Sequence, residues 1–298
     1  MGNAVLKNLK KTLIPAVCAL GIGFSASSQA ITRYQSELND AQWLLSGDIF
    51  SCSLSHPIMS YGDGHFIKNA GEPMKFILNP GNEKLGPGNV YIISQAPNWS
   101  PGLKPETLEV LAYPGYGMTV EVGGKVAERM LTSLNKGLHP ILAGSAWESG
   151  RETIEVVLTN INFAPAYNEF RRCMASLLPV NYDQIARSAV LFPENGVLLS
   201  TRMKDRLDLV ALYVANDPSV EYIYIDGHTD SLGSRRDNRE LSKQRAEAVT
   251  AYLLEQGVEV EKIISRYHGE RYPTIDNKTR ANRERNRRVT IRLEKFDP

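Results

Sequence analysis

Net charge is almost absent from this chain: 34 Lys and Arg residues stand against 33 Asp and Glu, a formal balance of +1. No whole-chain attraction to nucleic acid or to an anionic membrane follows, so any such binding needs a local patch. Beyond residue 30 no apolar run is long enough to cross a bilayer as a helix, so no membrane span is expected in the mature chain. Internal repeats are missing. No nucleophile stands beside a paired base, which argues against an enzyme, and no cofactor is expected. Cysteine is sparse, at three residues.

What is present begins with an export signal. Lys7, Lys10 and Lys11 precede the apolar run LIPAVCALGIGF (Leu13–Phe24), and the small residues Ser28 and Ala30 follow at the positions a signal peptidase reads. Residues 1–30 therefore read as a secretory signal peptide, and the mature protein is expected to begin at Ile31. Cys18 leaves with the signal; Pro15-Ala16-Val17 before it makes a poor lipobox. Cys52 and Cys173 remain, an even number in an oxidising compartment, and a disulfide between them is expected. The alternative is two buried thiols, which a thiol titration of the denatured, unreduced protein would find.

With 298 residues the chain suffices for two domains. Residues 31–178 read as a β-rich domain, with strands expected at Met74–Leu78, Val90–Ser94, Leu108–Tyr113, Met118–Val122 and Thr153–Leu158. Clusters of Gly, Pro and Asn separate them. Helices are expected at Val126–Leu134 and Tyr167–Leu178. Residues 179–187, starting at Pro179, read as a linker.

From residue 188 strands and helices alternate. Ser188–Phe192, Val220–Asp226, Lys262–His268 and Arg288–Leu293 read as strands, and Thr201–Ala215 and Asp237–Gln256 as helices, the second starting at a D-x-x-E pair, Asp237 and Glu240. The order β-α-β-α-β-β predicts one sheet backed by helices, an α+β domain.

One residue does not fit its helix. Leu241, Ala248, Val249, Tyr252 and Leu253 form an apolar stripe at 3.6-residue spacing, and Arg245 falls inside it. A guanidinium there must find a partner or reach solvent. Asp230 follows the strand ending at Asp226, and Asn238 and Leu241 lie within about 60° of Arg245 around the helix. An acid, an amide and an arginine converging at a strand end suit a ligand with both signs of charge. Asp230 would accept from an ammonium and Arg245 would grip a carboxylate. An Asp230–Arg245 salt bridge with no ligand fits the same spacing.

These residues carry a resemblance. GHTD (Gly227–Asp230), Asn238, LSxxRA (Leu241, Ser242, Arg245, Ala246), Val249, Leu253 and the late NRRVTI (Asn286–Ile291) together resemble the OmpA-like peptidoglycan-binding family over residues 188–298. The resemblance implies a β-α-β-α-β-β sandwich that binds the diaminopimelate side chain of the cell-wall stem peptide. By position Asp230 and Arg245 would hold its zwitterionic end, with Asn238, Leu241 and Thr229 alongside. Pro193 stands where that family's first strand often continues with an acid.

The first half resembles the MotY family of sodium-driven polar flagellar motors. The resemblance rests on Cys52-Ser-Leu-Ser-His56-Pro57-Ile58, Ser60-Tyr-Gly62-Asp63, Phe66, NWSPG (Asn98–Gly102), and Cys173 with Leu177-Leu178. It implies a periplasmic ring component of the basal body. The first half would work with a MotX-like ring protein to recruit the stator complex, while the second half grips peptidoglycan.

Other readings compete. His228, Asp230 and His268 have a spacing that some metal sites use, which would suit an enzyme. An outer-membrane barrel needs longer alternating strands than residues 31–165 offer. A wall anchor unrelated to flagella shares the second half's mechanism. His56, Trp43, Trp99 and Trp147 read as packing residues, and TRANRERNRR (Thr279–Arg288) as a solvated basic face or a surface over anionic glycan, secretion arguing against nucleic acid.

Overall fold

A computed structural model describes residues 30–81, 84–100, 102–115, 117–148 and 152–296. The expected signal peptide, apart from Ala30, lies outside the described residues. The first half contains β1 (Ile31–Tyr34), β2 (Leu44–Gly47), β3 (Ser51–Ile58), β4 (Gly62–Asn69), β5 (Lys75–Pro80), β6 (Gly88–Gln95), β7 (Glu106–Tyr113) and β8 (Val120–Val122). Next come α1 (Gly124–Asn135), β9 (His139–Ser145), β10 (Thr153–Val157) and α2 (Phe163–Ser176). Two five-stranded sheets result, ordered β1-β10-β9-β6-β7 and β2-β3-β4-β5-β8. All pairs are antiparallel except β1 with β10.

Strict alternation builds the core. In β3 every second residue, Cys52, Leu54, His56 and Ile58, is buried. They meet Phe66, Phe76, Leu78 and Val90 from neighbouring strands, with Met130 and Leu134 of α1 and Phe170 of α2. Trp43 and His56 pack as expected: their rings stack at 4.5 Å, His56 Nδ1 lies 2.7 Å from the Gln42 carbonyl, and Trp43 Nε1 donates to the Thr159 carbonyl. Trp99 departs from expectation. It is 66% exposed and makes an edge-to-face contact with the His139 ring.

Cys52 and Cys173 are joined by a disulfide, tying β3 to α2. Gly47 makes room for it: a Cβ there would lie 2.9 Å from the Cys173 sulfur and 2.5 Å from the Ser51 carbonyl oxygen.

The second half contains α3 (Tyr182–Ile185), β11 (Arg187–Leu191), α4 (Thr201–Asn216), β12 (Val220–His228), α5 (Arg235–Glu255), β13 (Ile263–Gly269), α6 (Arg280–Asn286) and β14 (Arg288–Lys295). Its sheet runs β11-β14-β12-β13, with β12 and β13 parallel. Leu207 and Val210 of α4 and Val249 and Leu253 of α5 cover Ile223, Ile225, Val289 and Ile291.

Three details correct the sequence reading. The N-cap of α5 is Ser234, whose hydroxyl accepts from the Asp237 amide, so Asp237 lies inside the first turn and does not start the helix. The buried line of α5 is Asn238, Ser242, Arg245, Ala246, Val249 and Leu253, and Leu241, Ala248 and Tyr252 flank it. A short helix, α6, occupies much of the stretch expected to be a solvated basic face.

The stretch expected as a linker, 179–187, is ordered against both halves. Asn181 caps α3 and donates to Glu72 Oε1 at 2.9 Å, and Gln184 Nε2 donates to the Gly71 carbonyl at 2.9 Å. Leu178 N donates to the Ile49 carbonyl, and the Phe50 ring packs on Tyr213 at 5.7 Å. Ile49 and Phe50 from the first half thus pack on the core of the second.

Candidate functional site

The site forms where β12 ends. Gly227 lets α5 lie unusually close, since a Cβ there would stand 2.1 Å from the Ser242 carbonyl oxygen. That approach carries the next turn of α5, with Arg245, over the strand end. Sheet register does the rest: Gly227 pairs with Val289, so the start of β14 brings Arg287 to the same corner.

Asp230 is buried. Its Oδ1 accepts from Leu232 N at 3.0 Å, and its Oδ2 accepts from Arg287 Nη1 at 2.9 Å. Arg287 also donates through Nε to the Phe192 carbonyl at 3.2 Å. The direct Asp230–Arg245 pair, one of the two arrangements expected, is not the one found. The β11–α4 loop lies across Arg245 and supplies carbonyls instead. Arg245 Nε donates to Gly196 O at 2.9 Å, Nη2 to Pro193 O at 2.9 Å and Nη1 to His228 O at 3.4 Å. Its guanidinium also stands 5.3 Å from the Phe192 ring centre.

Arg245 is completely buried, and its pKa is pushed down to about 10. Burial is the main cause, Arg287 adds to it, and Asp230 opposes it. The group stays cationic at neutral pH. Two buried guanidiniums therefore share one buried carboxylate. Glu284 reaches Arg287 only at 3.9 Å, from a half-exposed position. The corner holds an excess of positive charge in a low-dielectric place, which favours an anion.

The other expected site residues have their own partners. Asn238 is buried and donates to Glu270 Oε2 at 2.8 Å. Leu241 is half-buried. Thr229 is buried; its amide donates to the Gly269 carbonyl, and its hydroxyl has no hydrogen-bond partner among the described residues. Sequence reasoning missed Arg287 and the carbonyl cradle of Pro193, Gly196 and His228. The signal for Arg287 was its place in NRRVTI, directly ahead of the last strand; that this strand lies beside β12 is a finding of the structure.

His228 and His268 stack at 5.0 Å, and His268 Nε2 lies 2.7 Å from Asp226 Oδ1. Burial, then Arg288 and His268, lower the His228 pKa to about 4. The unfolded chain takes that proton near pH 6.5, whereas the folded one keeps the ring neutral until about 4. Unfolding thus binds a proton between those values, and stability is expected to fall as pH drops from 6.5 towards 4. Buried His56 and His139 shift in the same direction. Denaturant midpoints at pH 7.5, 6 and 5 check this, and His228→Gln should flatten part of the slope.

Comparison with known proteins decides the family. A family model described as the MotY N-terminal domain matches residues 34–179, and one described as the OmpA family matches residues 191–287. The sodium-type flagellar protein MotY of Vibrio parahaemolyticus is 31% identical over 96% of this chain and 98% of its own length. The chain belongs to the MotY family. The outer-membrane lipoprotein YfiB of Pseudomonas aeruginosa is 39% identical, over 35% of this chain and 61% of that protein. Among solved structures, the C-terminal domain of Helicobacter pylori MotB aligns at 23% identity and a TM-score of 0.35, covering 37% of this chain and 85% of that one. As a MotY-family protein the chain therefore joins its family's N-terminal domain to an OmpA-family domain. Among the described residues no helix is long and apolar enough to cross a membrane.

Proposed function

We propose that this MotY-family protein is a periplasmic component of the flagellar basal-body ring. Its OmpA-family half anchors it to peptidoglycan, and its first half, with a MotX-like ring protein, recruits and holds the stator complex. A stator that pushes on the wall needs ring parts with firm purchase on a covalent mesh.

The observation that carries the anchoring step is the buried charge excess around Asp230, Arg245 and Arg287. A diaminopimelate end brings a carboxylate to offset the second guanidinium and an ammonium for Asp230 to accept. Because the 193–196 carbonyls enclose Arg245, a ligand carboxylate either replaces them or takes Arg287. The roles of Asn238, Leu241 and Thr229 are to shape the wall of that corner.

Asp230→Asn keeps the shape and removes the charge. Losing one member of a desolvated charged set costs about 2–5 kcal/mol of binding. Co-sedimentation of the full chain with purified sacculi should show that loss, with an unchanged circular dichroism spectrum. Wild-type sedimentation by this variant and by Arg287→Gln would place wall binding elsewhere. Deleting the gene and tracking swimming and stator position tests the motor role. Normal motility would leave only a generic periplasmic wall anchor.

A further inference from the structure

We propose that the C-terminal half carries a second anion-binding site, separate from Asp230, which takes a carboxylate-bearing segment of the wall's stem peptides. This rests on the wall-anchoring reading and deepens it. The site is a cavity of about 620 Å³ beside the start of α5. Arg235, Arg236, Arg239 and Arg271 line it, with the rings of Tyr267 and Tyr272.

The charges in it are unbalanced. Glu270 is the one carboxylate in its lining, and it is already engaged by Asn238 Nδ2 at 2.8 Å and Arg235 Nε at 3.3 Å. The acids of the adjoining depression are turned elsewhere: Asp237 Oδ2 accepts from Ser234, and Glu240 accepts from Gln244. Arg236, Arg239 and Arg271 are exposed and lie within no salt-bridge distance of an acid among the described residues. Arg239 rests over the Tyr267 ring at 5.3 Å.

The placement of these arginines works against the fold. Arg235 and Arg236 open α5 and Arg239 follows, all at the positive end of a 21-residue helix. Cations there lower helix stability, whereas acids raise it. Arg235 has Glu270 and Arg239 the Tyr267 ring, but folding alone does not explain Arg236 in the first turn. A bound anion reverses the sign of the effect. Tyr272, 68% exposed, and Tyr267 offer ring faces for the apolar parts of a peptide or sugar.

The site is continuous with the first. Gly269, at the end of β13, accepts from Thr229 N through its carbonyl and donates its own N–H to Ser242 Oγ at 3.0 Å, and Glu270 holds Asn238. One loop therefore forms a wall of both sites. A polymer that repeats its carboxylates along a mesh can occupy both, which favours a stem peptide over an isolated small anion.

The test is the double variant Arg236→Glu/Arg271→Glu in the full chain. Sacculus affinity should fall roughly five- to tenfold and its salt dependence should flatten. The melting temperature should hold or rise, because an acid now sits in the first turn of α5. Asp230→Asn should lose affinity and keep the salt dependence. Unchanged sacculus binding by the double variant overturns the second site while leaving Asp230 standing. Loss with the double variant and none with Asp230→Asn moves wall binding wholly to this groove and ends the two-site proposal. Capture of wild-type protein by phosphatidylglycerol vesicles, abolished in the double variant while sacculus binding stays constant, assigns the groove to a lipid surface and also overturns it.

Discussion

Arg245→Met is expected to destabilise the second half by about 2–6 kcal/mol, the cost of leaving buried carbonyls without their side-chain donor. The guanidinium is fully buried and donates to the carbonyls of Gly196, His228 and Pro193. Methionine fills much of the volume and takes the side-chain donor from the Gly196 and His228 carbonyls, while Pro193 O keeps the Gly196 amide; the cost is about 1–3 kcal/mol for each acceptor that water cannot reach. It also leaves Asp230 with Arg287 alone, so the charge excess is gone and the stability cost falls on the carbonyls. The effect can be read by half. All three tryptophans, Trp43, Trp99 and Trp147, lie in the first half. Tryptophan fluorescence then reports the first half, and far-ultraviolet circular dichroism reports the whole chain. The variant should show an early dichroism transition with the fluorescence midpoint little changed. Coincident, unshifted transitions would mean that the β11–α4 loop closes over the gap and that Arg245 is not a structural keystone. The consequence for binding experiments is direct: sacculus binding by an Arg245 or an Asp230 variant has to be read beside its melting curve, because Asp230→Asn leaves Arg287 buried without its carboxylate.

The sequence exposed this corner by contradiction. A charge inside a helical apolar stripe, opposite an acid after a strand, is legible because burial demands a partner. What the spacing could not give was the partner's identity. Asp230 took Arg287, which lies 57 residues away along the chain and only one strand away in the sheet. Such a pairing depends on β14 lying beside β12, a topological fact that no local periodicity encodes. The carbonyl cradle was hidden for a related reason, since backbone acceptors carry no sequence signature. In the second half the strands and long helices followed from period and caps to within a few residues. The short α6 did not, because its seven residues are mostly polar and it is fixed by Asn286, which bonds Thr274, Ile275 and Asn277. In the first half β3 and β4, inside one sheet, are not among the strands that the sequence pattern predicts. Serines alternate with Cys52, Leu54 and His56 in β3, so the period of two was present but its polar face looked like a loop.

Reduction of the Cys52–Cys173 disulfide should have the other large effect. The bond closes a separation of 121 residues. On the chain-entropy account a loop of that size stabilises the folded state by roughly 4–5 kcal/mol. The location adds a mechanical consequence. Cys52 is the second residue of β3, two after Phe50, which with Ile49 packs on the second half's core, and Cys173 sits in the last turn of α2, five residues ahead of Leu178, which donates to Ile49. The bond therefore clamps both chain segments that enter the joint between the halves. Guanidinium unfolding followed by tryptophan fluorescence should show a much lower midpoint for Cys52→Ala/Cys173→Ala than for wild type. Dithiothreitol should move wild type towards the double variant and leave the variant unmoved. If loosening reaches the joint, limited proteolysis of the variant should cut near residues 177–187 while both halves stay folded. A variant with wild-type midpoint and an uncut joint would show that packing of α2 on β3, without the covalent bond, holds the first half and its seat on the second.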